Sequence, residues 1–420
     1  MSTHVAAQRG RRGPGFIEFV LLIAALQALG AFGIDSMLPN LPAIGEALGV
    51  HDENRRQLII TAYLLGLGGS QLIYGPLADR FGRRPVLLAG LALYVGFSLL
   101  AAFSPTFDLL LVARVLQGVG AAATRAIPVS VVRDRYAGRE MARVMSLTSL
   151  VFMAAPIAAP SLGQLVLVLA SWPWIFHLLA AFAVLLMLWA LVRLPETLHP
   201  EDRLPIQPQR IAQAFALAAR NRTSLCYILA QTVLFGGLLG FINSAQQVFA
   251  DAFGAAEQFP LVFAICASFV AVASLLNARL VMRLGMRRLS HTALLVYIAV
   301  VAVHLLIAGA GHETLVTFAV LQAMTMFCFG LTSGNFGAMA MEPMGHIAGV
   351  ASSFQGFVST VGASLIGFVI GQAFNGTVLP IEAGYLVCGC CALAAVLVAE
   401  RGRLFQPHAT AAEARPCLAE

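Results

Sequence analysis

The sequence predicts an all-α polytopic membrane protein, with twelve transmembrane helices in two pseudo-symmetric six-helix bundles. Three observations carry that prediction. Of 420 residues, 59% are hydrophobic and only 11% are charged, whereas a soluble chain of this size carries about a quarter. The apolar residues gather into twelve runs of about 20 residues, each long enough to cross a bilayer. The second half of the chain also repeats landmarks of the first.

The runs lie near 16–38, 58–78, 86–104, 107–131, 144–168, 172–194, 223–250, 258–281, 289–309, 314–340, 347–373 and 377–399. Gly, Pro, Ser and Gln interrupt them, which bundle helices tolerate when neighbours satisfy the backbone. The longest connection, 195–222, holds Pro195, Pro200, Pro205 and Pro208 among charges and divides six runs from six. The expected organisation is an N-terminal tail 1–15, a bundle 16–194, a central linker 195–222, a bundle 223–400 and a C-terminal tail 401–420.

An even number of spans puts both tails on one side. All 26 cationic residues are Arg. With the tails inside, only Arg55 and Arg56 fall outside, and Arg114 and Arg125 fall within a helix. The positive-inside rule therefore predicts cytoplasmic termini and a cytoplasmic linker. The net charge of +6 reads as a topology signal, and no nucleic-acid partner is expected. Seven Cys show no metal-ligand spacing, and Cys388, Cys390 and Cys391 read as small hydrophobes in an apolar run. Arg9, Arg11 and Arg12 precede a run too long for the core of a cleaved signal, so none is expected.

Among the ionisable residues inside the spans, Asp35 and Arg114 stand out. Asp35 comes late in the first, in Phe32-Gly-Ile-Asp35-Ser-Met-Leu-Pro39-Asn-Leu-Pro42. A carboxylate there is costly and is a functional candidate by default. It exchanges a proton only when water or substrate reaches it. The alternative is an interfacial Asp capping the outer helix end. Arg114, in Arg114-Val-Leu-Gln117-Gly118, needs a partner or a wet cavity. It is either a coupling group or a structural hydrogen-bonding residue. Arg125, nearer the inner end, reads as a snorkelling or interface residue.

Between the second and third runs stands Gly75-Pro-Leu-Ala-Asp79-Arg80-Phe-Gly82-Arg83-Arg84. It reads as a loop of about seven residues joining antiparallel neighbours. Gly75 and Gly82 permit close approach and a tight turn, and Asp79 stands beside three guanidinium groups. A merely topological loop would explain Arg80, Arg83 and Arg84, but not Asp79 or the glycines. A shift of 203 residues takes Arg80-Phe-Gly82-Arg83-Arg84 to Arg283-Leu-Gly285-Met286-Arg287, with Met282 where Asp79 stood. The second copy keeps the turn but not that acid, so the inner latch is expected to depend more on the first half.

The pattern G-x-L-x-D-R-x-G-R-R resembles the loop 2–3 signature of the major facilitator superfamily. The resemblance implies two six-helix halves around a midplane substrate site. It also implies a conformational latch of Gly75, Asp79, Arg80, Gly82, Arg83 and Arg84. Asp134, in Val132-Arg133-Asp134-Arg135-Tyr136, is the expected partner, although Arg133 and Arg135 read equally as topology markers. Arg114, Gln117 and Gly118 resemble the family's fourth-helix motif, whose Arg is associated with proton coupling. Pro156, Pro160 and Gly163 loosely resemble its antiporter motif. The arrangement D-x-x-L-P-x-L-P and the segment from Asn335 to His346 resemble the drug-exporting Bcr/CflA branch.

The resemblance implies proton coupling through Asp35 and Arg114. The implied substrate cavity draws on Gln27, Tyr63, Asn243, Gln246, Asn335 and Gln355, with Phe235, Phe241 and Phe336 as apolar surfaces. His177 and His304 read as packing residues. The expected function is proton-coupled multidrug efflux by alternating access across the bacterial inner membrane, by a monomer in the lipid bilayer. The proton gradient supplies the energy, and no cofactor or metal is expected. The chain is not expected to be an enzyme, for it carries no P-loop, nucleophile–His–acid arrangement or metal cluster. The rivals are a metabolite symporter or facilitator of the same fold, and a membrane sensor lacking transport.

Overall fold

The computed structural model describes residues 14–405 apart from 137, 204, 206 and 207. Most of both expected tails lies outside the described residues. No β-strand occurs among the described residues. Hydrocarbon offers backbone groups no water, so each span satisfies its N–H and C=O groups within its own helix.

Among the described residues, twelve helical spans are long and apolar enough to cross a membrane. The first half holds α1 (Phe16–Asp35), α2 (Leu58–Phe81), α3 (Arg83–Ala102), α4 (Phe107–Arg135), α5 and α6 (Pro173–Arg193). Here α5 comprises two pieces, Gly138–Phe152 and Ala154–Leu169. The second half holds α7 (Arg222–Gln247), α8 (Phe259–Leu284), α9 (Met286–Gly309), α10 (Leu315–Met341), α11 (Ala348–Gln372) and α12 (Leu379–Ala399). Large apolar side chains such as Val168, Leu306, Val316 and Val369 are exposed around the bundle, where lipid would cover them.

Three boundaries differ from the sequence expectation. The expected seven-residue loop is a single residue. α2 continues through Pro76 to Phe81, α3 begins at Arg83, and Gly82 alone joins them. Charge marks where hydrocarbon ends, not where the helix ends. Gly82 turns the chain at φ +102°, and Gly285 does the same between α8 and α9 at φ +79°, a region that Gly enters without a Cβ clash. The first span also runs on past 38, through a turn at Leu38–Asn40 and a helix at Leu41–Ala47. Pro39 and Pro42 stand at the starts of these pieces, where a missing N–H breaks no helical bond. Finally, α5 breaks at Met153, because Pro156 cannot donate to the carbonyl of residue 152.

The linker also contains a helix, Pro208–Arg220. Its Phe215 lies 5.6 Å from the ring of Phe354 on α11. Ala218 is fully buried with Met344 and Ala351.

Small residues set the helix spacing, as is usual where lipid is as apolar as the side chains. A Cβ on Gly118 of α4 would strike the carbonyl of Tyr63, and one on Gly66 of α2 would strike that of Val115. One on Gly120 would lie 2.6 Å from the amide nitrogen of Tyr94 on α3. α4 is thus wedged against the backbones of α2 and α3. Gly118→Val should force α2 and α4 apart and cost about 1–3 kcal/mol by overpacking. The expected readout is a lower midpoint of thermal unfolding for detergent-purified protein; an unchanged midpoint would refute the contact.

Candidate functional site

Both halves build an ionic cluster at the end where α2 meets α3 and α8 meets α9, here called the Gly82 end. In the first half, Arg83 pairs with Asp79 one turn earlier (Nη1–Oδ1 2.5 Å) and with Asp134 at the end of α4 (Nε–Oδ2 3.0 Å). Thr197 donates to the same Asp134 oxygen at 3.0 Å. Glu196 accepts from the backbone N–H groups of Arg83 (2.9 Å) and Arg84 (3.1 Å). It thereby places an anion at the N-terminus of α3, where the helix dipole favours one. A Cβ on Gly82 would lie 2.5 Å from the Glu196 carboxylate. The turn requires glycine for its φ, and a side chain there would displace the Glu196 carboxylate. Arg84 donates to the carbonyl of Leu191, and Arg80 is exposed. Gly75 lies on the cavity wall described below.

The second half replaces the lost acid by another route. Met282 is 85% exposed. Arg287 instead donates to Glu400 after α12 (Nε–Oε1 2.8 Å) and to Glu342 at the end of α10 (Nη2–Oε2 3.1 Å). Tyr227 of α7 also donates to Glu400 at 2.6 Å. Burial alone would raise the Glu400 carboxyl, but the Tyr227 hydroxyl and the Arg287 guanidinium hold it below its ordinary 4.5. Glu196, Glu342 and Glu400 escaped the sequence reading. The repeat that pairs Gly82 with Gly285 also carries Glu196 close to Glu400, and this was the available signal.

Arg114 is fully buried and has no carboxylate partner among the described residues. It donates to the carbonyls of Gly33 on α1 (2.8 Å) and Ile59 on α2 (3.1 Å), and to the Gln117 side chain (2.5 Å). Gln117 passes the connection to Ser98 of α3 at 2.7 Å. The guanidinium lies 4.4 Å from the centre of the Tyr63 ring. One cation thus ties four helices together, largely through neutral acceptors.

Asp35 ends α1 two residues beyond Gly33. It is 5% exposed and forms no hydrogen bond or ion pair with a described residue. Gly163 of α5 fixes this corner: its carbonyl accepts from Asn40 at 3.1 Å, and a Cβ there would strike the carbonyl of Ser36. Pro160 is buried nearby in the chain, and Pro156 is half-buried.

A cavity of about 510 Å³ opens between the halves at the Gly82 end. Gln71, Gly75 and Asp79 of α2 face Arg125, Val129 and Arg133 of α4. Ser352, Ser353 and Gly356 of α11 and Phe215 of the linker helix complete the wall. Gln71 donates to Thr360 of α11 at 3.1 Å, a buried bond between the halves.

At the other end of α2 the halves are joined by amides. Gln57 donates to Gln247 at 2.6 Å and to the carbonyl of Gly371 at 3.1 Å. Asn54 donates to the carbonyls of Gln372 (3.2 Å) and Phe374 (3.0 Å) and accepts from Gln247 at 2.8 Å. The molecule is open at one end and held together at the other.

None of the six residues expected to contact substrate lines this cavity. Tyr63 lies under Arg114. Asn335 bonds to Asn277 of α8 at 2.7 Å, and Gln355 to Gln231 of α7 at 2.7 Å. Asn243 is 1% exposed, whereas Gln27 and Gln246 are half-buried. The lining that sequence reading missed had a signal. Gln71, Gly75 and Asp79, like Arg125, Val129 and Arg133, recur every four residues and so share one helix face.

The two ionic clusters differ in burial, and so in what each arginine contributes to stability. The Glu400 side chain is 4% exposed, against 38% for Asp79 and 17% for Asp134. Arg287→Met strands a buried carboxylate, which costs about 3–5 kcal/mol, whereas Arg83→Met leaves carboxylates that water can reach. Thermal unfolding at pH 7 should therefore rank Arg287→Met below Arg83→Met; the opposite order would remove the argument. Because Glu400 is depressed in the folded state, its contribution is present above pH 4.5 and lost on further acidification. Glu400→Gln should flatten that acid-side loss.

A family model described as the Major Facilitator Superfamily matches residues 20–367. The chain is 31% identical over 358 residues to the uncharacterized MFS-type transporter YdgK of Bacillus subtilis (strain 168), covering 84% of this chain and 89% of that one. It is 27% identical over 380 residues to a bicyclomycin resistance protein homolog of Haemophilus influenzae, covering 90% and 94%. The human organic anion transporter MFSD10 (TETRAN) shares the fold, with a TM-score of 0.70 at 19% identity over 92% of this chain and 100% of that one. With two six-helix halves, a glycine turn and ionic cluster in each, and a cavity between them, the chain belongs to the Major Facilitator Superfamily.

Proposed function

We propose that this protein exports small amphipathic, drug-like compounds across the bacterial inner membrane in exchange for protons. The Gly82 end faces the cytoplasm in this reading, since most of the arginines gather there. The observation that carries the proposal is the asymmetry of the two ends. A cavity opens between the halves at one end, while amides from both halves close the other. That is one state of an alternating-access cycle. The complementary state would break the amide contacts and close the cavity. The similarity to a bicyclomycin resistance protein homolog supports drug compounds as the cargo and export as the direction.

Asp35 is the proposed proton carrier. It is a buried acid without a partner among the described residues, on the helix that Arg114 grips two residues earlier. A proton gradient performs work only if the two protonation states of its carrier favour different conformations. The protonation of Asp35 would act on the α1 corner held by Arg114, Asn40 and Gly163. Arg114 holds that corner in register and is the positioning residue. A monomer suffices, because cavity, seal and acid all belong to one chain.

The test is transport by purified protein in proteoliposomes, with and without an imposed pH gradient. Asp35→Asn should abolish gradient-driven accumulation, lowering its rate by about 100-fold or more, while passive exchange stays measurable. Accumulation by Asp35→Asn that still responds to the gradient would assign the proton elsewhere.

A further inference from the structure

The cavity carries an unbalanced charge. Its charged lining residues are Asp79, Arg83, Arg125 and Arg133. Asp79 is taken by Arg83, which Asp134 also engages. Arg125 and Arg133 have no hydrogen bond or ion pair with any described residue. They stand eight residues apart on α4, just over two turns, and both line the cavity. Most of the remaining wall is apolar, including Leu72, Pro76, Val129, Phe215 and Val350.

Both guanidinium groups are exposed rather than sealed inside the bundle, so a ligand entering the cavity can reach them. They also present a fork of donors suited to the oxygens of carboxylates, sulfonates and phosphonates. A mostly apolar wall with a few placed polar groups is the usual form of a small-molecule site. We propose that this cavity selects amphipathic organic anions. The anionic group lies between Arg125 and Arg133, and the apolar body lies against Phe215, Val129 and Pro76. This inference rests on reading the cavity as the site of the transported compound. It deepens that reading by naming the charge of the cargo.

Three probes with one ring system test it: naphthalene-2-sulfonate, naphthalene-2-sulfonamide and 2-naphthylmethylamine. The sulfonate is permanently ionised, so it does not partition passively along a pH gradient. Binding is measured by equilibrium dialysis against the full chain in phosphatidylcholine nanodiscs. The sulfonate should bind about tenfold tighter than the sulfonamide, and the amine weakest. Arg125→Gln and Arg133→Gln should each bring the sulfonate to the level of the sulfonamide and leave the sulfonamide unchanged. Equal binding of the three probes by the unaltered protein would overturn the proposal even if neither variant folds. So would variants that weaken all three probes alike.

A second arm separates a solute from a lipid headgroup. Sulfonate affinity should persist when phosphatidylglycerol is added to the nanodiscs; its abolition would assign the arginines to anionic lipid and overturn the solute site. A third arm follows the sulfonate and the sulfonamide into inverted vesicles under a pH gradient. The sulfonate should accumulate when the gradient is imposed. Selective sulfonate binding without gradient-driven movement would sink the export reading but keep the anion site. Protein-dependent, gradient-driven movement of the sulfonamide without selective sulfonate binding would do the reverse; the amine, a weak base trapped passively in an acidic lumen, is read only in the binding arm.

Discussion

A buried guanidinium without a carboxylate partner organises the first half of this transporter. Hydrocarbon cannot solvate Arg114, so its charge must be met by whatever the neighbouring helices present. They present backbone carbonyls from α1 and α2, the Gln117 amide and the face of Tyr63. These groups converge only if α1, α2 and α4 approach closely, and Gly66 and Gly118 provide that approach for α2 and α4. Glycine packing and the buried charge therefore require each other. A bulkier residue at either position would separate the acceptors from the cation they satisfy.

The same economy recurs at the Gly82 end, in a form that distinguishes the two halves. Each half turns on a left-handed glycine and anchors an arginine to carboxylates at the ends of other helices. The first half uses Asp79, Asp134 and Glu196 close to water. The second buries Arg287 with Glu400 and adds Glu342 and Tyr227. The arginine–carboxylate pairs join helix ends inside each half, and Glu196 adds the start of the linker to the first.

Contacts between the halves are of another kind. Asn54, Gln57, Gln247 and Gln372 exchange neutral hydrogen bonds, each worth about 0.5–1.5 kcal/mol net. Such bonds can be broken and remade at the scale of the few kcal/mol that separate two populated conformations. Beside the amides, Asp251 of the second half meets Glu53 of the first, so carboxyl as well as amide groups join the halves at the end away from Gly82. Arg125 and Arg133 line the cavity rather than facing lipid.

Composition and run length determined the membrane class and the twelve spans, because lipid imposes an apolar length on every crossing. Local pattern determined the glycine turns, since Gly82 and Gly285 hold φ values that other residues rarely adopt. Asp35 and Arg114 were conspicuous for the same kind of reason, as charges in apolar runs. Three boundaries were not legible: the extent of α2, the break at Met153 and the continuation of the first span to Ala47. Helix ends depend on hydrogen bonding and proline position, whereas composition reports only contact with hydrocarbon. The cavity wall was decided by tertiary structure alone. Tyr63, Asn335 and Gln355 have partners on neighbouring helices, whereas Arg125 and Arg133 have none among the described residues. Sequence gives each helix its faces, but which face meets a neighbour and which meets the cavity is fixed only when the two halves pack.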